Sequence, residues 1–568
     1  MNRRNECESK RSVYPCSTVV VSSRSAAFEN LPKKGVSYAR QRMSHIFAAV
    51  PFFGARCYFV YVAIVLALLL CVNPFIEYYQ QYGIAPYNAI LFGVAVLFGL
   101  VVVVALVDVW FAGEKGREYR RRSGDWRRWL GDLRVFSFLI FSGGVALFAI
   151  QMAIVYGCWF KTGWDIFEIT HPELAHLDPA YFSTYPNQWF ITGFFSVVTN
   201  VAHFFNIDQY LLFVIGSCAS VAISVVLASF VGRAIGGTFV GLSTFAVSFV
   251  LCGLSPNILI PYTDSYGMLC PTVTLFFYAV VKKPWLRVSG VVFFGYIGYC
   301  IKPTGIFIVA AVAVVELCRL FSKILGGCLG RVNMRSVAGP FMGGILSFVL
   351  AFSLASFFES RVVFDNDESK AFNAAHYLMM GFNQETNGVY SQDDFAFSSG
   401  FDNVSDRTTG NLDVWSDRVH EAGVSGVTRL LVEKACLSYG EGAFTWRDWY
   451  FEDVYGQNVL FKWLYGIPDE GDTPLKLAPD DVVPWAYFAQ VVWFFVLLGI
   501  ASSLFARKIP SRIAVIAIAL FMISVFLLLF ECRARYLFLY APCFVIAGMY
   551  GWMSISRYID RRFSAGKR

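Results

Sequence analysis

The sequence predicts a polytopic α-helical membrane protein of about twelve transmembrane helices, with one hydrophilic loop domain between helices 9 and 10. Three observations lead there. Of the 568 residues, 57% are hydrophobic and only 15% charged, with a mean hydropathy of +0.54, too apolar for a single core surrounded by water. Apolar runs of about 20 residues, the length that crosses roughly 30 Å of hydrocarbon, recur along most of the chain. The charges that remain fall into short basic loops and one long acidic segment.

The elements follow in order. Residues 1–56 are polar and carry ten Lys/Arg ahead of the first apolar run, so no cleavable signal is read there and a disordered basic tail is expected. Residues 57–134 supply two helices, 57–76 and 89–112, and a basic loop. Residues 135–358 hold seven more runs, 135–158, 209–232, 237–254, 266–281, 288–300, 304–322 and 336–357, those near 266–300 being short. Within their long loop, 159–208, the stretch WFITGFFSVVTNVAHFF is interrupted by Gly193, Asn200 and His203 and reads as an interfacial helix over 189–205. Residues 359–483 form the hydrophilic domain, in which HYLMM and VTRLLVEKACLSY read as helices and the Gly/Ser/Asn/Asp-rich 383–413 as loop. Three last helices, 485–505, 511–530 and 537–556, and a basic tail complete 484–568.

Charge sets the expected orientation. With the N-terminal tail inside, the loops 113–134, 282–287, 318–335 and 506–512, the tail 557–568 and Arg233 fall on the same side and hold, with it, 34 of the 47 Lys/Arg. The segment 359–481 falls on the other side with 22 acidic against nine basic residues. A multi-pass protein of the cell membrane with both termini cytoplasmic is expected. Most of the fourteen cysteines lie in apolar runs or on the cytoplasmic side, and only Cys436 sits in the hydrophilic segment, so no disulfide framework is read there.

Unusual residues collect on the extracytoplasmic side. The stretch FLLLFECRARYLFLYAP, 526–542, places Glu531, Arg533, Arg535 and Tyr536 between two apolar runs. LSPNILIPYTDSYGMLCP places Asp264 just before a helix, where it suits an N-cap as well as a functional role. YCIKPTGIF places Lys302 before Pro303, and the 159–208 loop holds Asp165 and Tyr185-Pro186-Asn187. A charge at membrane depth is expensive and marks function, although a single Lys or Arg also snorkels to the interface. Two arginines and a lysine suit a phosphate, Arg through its bidentate fork and Lys as a point charge. A nearby carboxylate, Asp165, suits a general base. Glu531 is close enough along the chain to neutralise Arg533 or Arg535 instead. No Walker loop, GxSxG or HExxH is present. His171 and His176 lie five apart among acids with no third soft ligand, a weak metal signal.

These residues resemble a known superfamily. The acid after the first long outer helix, YPNQ in the same loop, TDSYG, IKPT between two short helices and E-x-R-x-RY before the last helix are similar to the bacterial branch of the GT-C glycosyltransferases. That branch includes relatives of dolichyl-phosphate-mannose protein mannosyltransferases and the aminoarabinose lipid A transferase. HYLMMGFNQETNGVYSQDD resembles the H-x-x-x-M-G…G-x-Y…D element of that branch, and the resemblance covers roughly 135–556. It implies a GT-C-like transmembrane core and a polyprenyl-phosphate-linked sugar donor. It also implies an extracytoplasmic glycan, lipid or protein acceptor, and Asp165 in the position of the catalytic acid. The site expected is Asp165 as base, with Tyr185, Asn187, Asp264, Lys302, His376, Arg533, Arg535 and Tyr536 around the substrate. His376 also reads as an ordinary core histidine. The sequence names no cofactor: WDIFE lacks the DxD or ExD signature that would support a divalent cation. Many relatives carry His-Pro-Pro where this chain has Tyr-Pro-Asn.

A transporter or flippase of an envelope lipid or glycan precursor is the reading from another class, with charges lining a path near the bilayer midplane between related halves. Here the halves differ and the charges gather at one face. A sugar-polymer ligase or polymerase shares the donor chemistry. Besides the bilayer and these substrates no partner is expected, and no nucleic acid.

Overall fold

A computed structural model describes residues 31–73, 76, 84–111, 131–327, 334–469, 475–478 and 481–565. Among the described residues ten helices are long and apolar enough to cross a membrane. They are Arg40–Cys71, Ala85–Leu106, Leu133–Cys158, Gln209–Gly236, Pro284–Ile301, Pro303–Leu325, Ala338–Glu359, Pro484–Phe505, Ser511–Leu529 and Ala534–Arg562. Proline at the first helical position starts three of them, where its missing N–H costs nothing. Asp132 and Asp208 cap two others by accepting from Arg134 N at 2.7 Å and Leu211 N at 3.0 Å.

The other two of the twelve expected runs are helical but short. Residues 237–254 form Thr238–Ser248 and one wide turn, Phe249–Gly253, and residues 266–281 form Leu269–Ala279. Both lie against Gln209–Gly236, with inward faces that include Val240 and Thr244 in the first and Thr272 and Leu275 in the second. Irregular backbone is tolerated beside such helices because protein, not lipid, surrounds it.

The first helix corrects the expected tail boundary. Helix begins at Leu31, so 31–56 is not disordered. It is tied down at its polar end, Ser44 Oγ donating to Ser322 O at 2.7 Å and Arg56 to Ala506 O at 3.3 Å. Residues 1–30 and 112–130, the rest of the basic tail and most of the next basic loop, lie outside the described residues. The stretch 189–205 is a helix, Trp189–Phe205, burying Phe190, Ile191, Phe195 and Ala202 and packing on Met334–Glu359.

The bundle has two chemically distinct ends. At one, Arg233 donates to Gly131 O at 2.9 Å, Arg512 to Ala234 O at 2.7 Å, and Tyr550 OH to Lys508 O at 2.8 Å. At the other, the C-terminal ends of Pro284–Ile301 and Ser511–Leu529 meet the loop after Leu133–Cys158 and the hydrophilic segment.

That hydrophilic segment is folded and largely helical, and 383–413 is not the loop its composition suggests. It contains Gln392–Ser399 and the start of Val404–Tyr439, which kinks at Gly423. Its serines and asparagines are caps: Ser391 accepts from Asp394 N and Asn403 from Asp406 N. A composition that favours turns also starts helices. A two-residue antiparallel pairing joins Tyr450–Phe451 to Leu475–Lys476, and Lys161 pairs with Glu452. All the cysteines of the described residues are free, including buried Cys436.

Candidate active site

The hydrophilic segment docks on the chain just before the arginines. Buried Lys434 donates to Gly381 O at 2.6 Å and to Phe530 O at 2.7 Å, and burial pulls its ammonium down to about 8. Cys532 N donates to Gly388 O at 2.9 Å. The two glycines of HYLMMGFNQETNGVY make this approach possible. A Cβ on Gly381 would stand 2.6 Å from the Phe530 backbone, and Gly388 holds φ +72°, where side chains are strained. Glu531 is thereby fixed between two backbone anchors, and its carboxylate accepts from Tyr536 OH at 3.0 Å.

Asp165 opens the short helix Asp165–Thr170 directly after Trp164, a bulky residue with φ +60°. Such strain persists only where the surroundings impose it, and it clusters at functional sites. The half-buried carboxylate accepts from Tyr262 OH at 2.7 Å and from Tyr181 OH at 3.2 Å. Burial first, then the charge of Asp165, holds both phenols well above their ordinary range, so both stay protonated as donors.

Tyr262 links this carboxylate to the cations. The guanidinium carbon of Arg535 lies 5.2 Å from its ring centre, 5.5 Å from that of Trp449 and 5.3 Å from that of Tyr536. Arg535 N donates to Thr445 Oγ1 at 3.0 Å, while its buried Nε has no hydrogen-bond partner. Phe444 and Thr445, both at positive φ, form the turn that presents this hydroxyl. Arg533 pairs with Asp448 at 3.5 Å. Lys302 pairs with Asp264, and its ammonium lies 4.5 Å from the Tyr536 ring centre. Asp264 is therefore in an ion pair rather than capping its helix, whose first turn has no side-chain cap, and its Oδ2 is buried without a partner.

The structure thus gathers Asp165, Asp264, Lys302, Arg533, Arg535 and Tyr536 in one cluster, and Tyr185 packs on Tyr181 at its edge, the ring centres 5.2 Å apart and tilted. Two expected residues stand elsewhere. Asn187 is exposed, and it is its neighbour Gln188 that turns inward, donating to Tyr262 OH at 3.4 Å. His376 is 1% exposed, bonded through Nδ1 to Ser398 Oγ at 2.7 Å and packed against Phe372, which in turn packs on Tyr185. It lies one layer behind the site, with Phe372 and Tyr185 between. Tyr262, Tyr181, Trp449 and Asp448 are the members that sequence reasoning missed. Tyr262 stands two residues from Asp264, but aromatic residues make up 17% of the chain and adjacency alone does not select it, while Trp449 stands near no marked residue. Among the described residues no three His, Cys, Asp or Glu side chains group as a metal site, and His171 Nδ1 is bonded to Phe167 O at 2.8 Å.

Residues 93–555 match the model of a family described as conserved hypothetical integral membrane protein. No curated protein and no solved structure matches the chain.

Proposed function

The chain belongs to the family of conserved hypothetical integral membrane proteins, and we propose that it is a membrane glycosyltransferase using a polyprenyl-phosphate-linked sugar. The observation that carries this reading is Tyr262, whose hydroxyl holds the Asp165 carboxylate and whose ring faces the Arg535 guanidinium. One side chain therefore sets the separation between a base and a cation. Such a fixed pair suits a reaction in which an acceptor hydroxyl is deprotonated at one end and a phosphate leaves at the other.

In that reaction Asp165 takes the proton of the acceptor hydroxyl as its oxygen attacks the anomeric carbon. The bond from that carbon to the phosphate oxygen breaks, and the phosphate leaves with the electron pair, inverting the anomeric centre. Arg535 is the cation best placed to meet it: it holds no ion pair among the described residues, whereas Lys302 and Arg533 already face Asp264 and Asp448. A guanidinium fixed before the phosphate arrives stabilises the charge that develops on it. The lipid tail stays between the helices, which requires the site to lie at a membrane face. The extracytoplasmic face is the proposed one, from the basic loops at the opposite end.

The test is purified protein with a panel of radiolabelled polyprenyl-phosphate sugars, scoring released polyprenyl phosphate. Release from one class of donor supports the reading, and release from none of them removes it. Labelling of a single cysteine placed at residue 400, expected from outside only, tests the sidedness.

A further inference from the structure

Asp165 borders two unlike neighbourhoods. Toward the cations, Tyr262 and Trp449 are buried, the latter only 4% exposed. Trp164, the residue directly before Asp165, is 45% exposed and sits in the left-handed region at φ +60°. One exposed ring says little, but a large ring kept exposed on a backbone that resists it, beside the proposed base, needs a cause.

The loop is tied to the hydrophilic segment just ahead of this ring. Lys161 N donates to Glu452 O and Glu452 N to Lys161 O, both at 2.8 Å, and Tyr455 N donates to Trp159 O at 2.9 Å. The Glu452 carboxylate lies against Gly163, where a Cβ would stand 2.8 Å from its Oε1, so glycine is what leaves it room. Trp164 then packs edge-on against Tyr450, ring centres 4.8 Å apart, and lies tilted to Trp449 at 6.2 Å. Asp453 is paired with Lys161 at 3.4 Å, whereas Glu452 holds no ion pair among the described residues. Gly163, Trp164 and Asp165 therefore bring together a carboxylate laid against the first, an exposed ring on the second and the base on the third.

An open aromatic face beside carboxylates suits one kind of molecule in particular. The C–H face of a sugar ring is apolar enough to lie on an indole, and the hydroxyls around its rim donate to carboxylates. An acyl chain has no use for the carboxylates, and a phosphate is repelled by them. We propose that Trp164, with Tyr450 and Glu452, is the acceptor subsite and that the acceptor is a carbohydrate. One sugar ring stacks on Trp164, Glu452 accepts from its hydroxyls, and the hydroxyl to be glycosylated meets Asp165. The inference rests on the glycosyltransferase reading and deepens it, choosing a glycan over a lipid or a protein as acceptor.

The test measures binding without donor, on the full-length protein in lipid nanodiscs, of a panel of soluble hexose and pentose oligosaccharides and of a Ser/Thr-rich peptide. Binding and cleavage of polyprenyl-phosphate sugars are measured separately. Wild type should bind an oligosaccharide and not the peptide. Trp164→Gly suits the left-handed backbone, so it removes the ring without adding strain, and it should weaken the oligosaccharide about 10-fold or more. Trp164→Phe should recover part of that loss, and Glu452→Gln should cost about 10-fold, as loss of a charge-assisted contact does. Donor affinity should stay at the wild-type value in all three variants. Trp463→Ala, which removes an exposed tryptophan on the separate helix Val459–Tyr465, should leave oligosaccharide binding unchanged. Unchanged oligosaccharide affinity in Trp164→Gly, an equal loss in Trp463→Ala, donor affinity falling in step with oligosaccharide affinity, or binding of the peptide alone overturns the subsite. Wild type that releases polyprenyl phosphate but binds no oligosaccharide removes the subsite and leaves the transferase reading. Wild type that binds an oligosaccharide but cleaves no donor strikes the transferase reading instead.

Discussion

Arginines stand at both ends of this helix bundle, and the two ends use them differently. At the basic end, Arg512 donates to Ala234 O and Arg233 to Gly131 O, with Arg233 also resting on the Phe136 ring at 4.4 Å. A cation on the last carbonyls of a helix, as Arg512 is on Gln209–Gly236, satisfies groups that the helix leaves open and favours its dipole, while Arg233 keeps one buried nitrogen, Nη1, without a hydrogen-bond partner. At the other end, Arg535 is enclosed by Tyr262, Trp449 and Tyr536, and holds no ion pair among the described residues. Its guanidinium is positioned and left incomplete. The same residue type is a structural tie where its donors meet backbone carbonyls, and a candidate ligand for an anion where aromatic rings surround it and no carboxylate pairs with it.

Breaking the site end should cost far more activity than breaking the basic end. The largest effect is expected from Asp165→Asn, on the order of 10²–10⁴ in transfer rate with the thermal midpoint unchanged, measured as product formed per enzyme. Arg535→Lys should follow, losing roughly 1.5–3 kcal/mol of donor affinity because an ammonium cannot supply the fork that a phosphate meets. A donor titration that leaves Arg535→Lys at wild-type affinity would erase the distinction between the two ends. Arg512→Lys completes the pair at the bottom of the scale. It should leave turnover intact and cost about 0.5–1.5 kcal/mol of stability for its carbonyl bond, read from thermal unfolding.

His376 sharpens the comparison from a third place. Its hydrogen bond continues from Ser398 to Asn411 Oδ1 at 3.0 Å, and burial depresses the imidazole from 6.5 to about 4. A base depressed on folding binds its proton more readily when unfolded, so its contribution is present above the unfolded pKa and is lost as pH falls from about 6.5 toward 4. His376→Gln should flatten that part of the stability profile while leaving donor affinity unchanged. If affinity falls instead, the histidine belongs to the site after all.

Much of the fold is legible in the sequence because hydropathy and charge act over whole segments. The ten long helices coincide with expected runs to within a few residues, except the first, whose helix reaches back into polar sequence. There, helix formation continues past the hydrophobic stretch because contacts from Ser44 and Arg56 hold it, and no composition signal reports such contacts. The stretch 383–413 misleads for the opposite reason, since capping residues and turn residues are the same residues. In the site, the charged members are legible because charge beside hydrocarbon is conspicuous, while the aromatic members are not. Tyr262 is two residues from Asp264 and joins base to cation, but only the folded chain distinguishes it from the other 28 tyrosines.

The central claim, that one carboxylate and one guanidinium act on the two ends of a single donor, is tested most directly by measuring donor binding and polyprenyl-phosphate release together in Asp165→Asn. The account predicts donor bound at wild-type affinity and release slowed at least about 100-fold, because a neutral amide cannot take the acceptor proton while the phosphate side remains intact. Release above a tenth of the wild-type rate, with the donor bound as before, would contradict it.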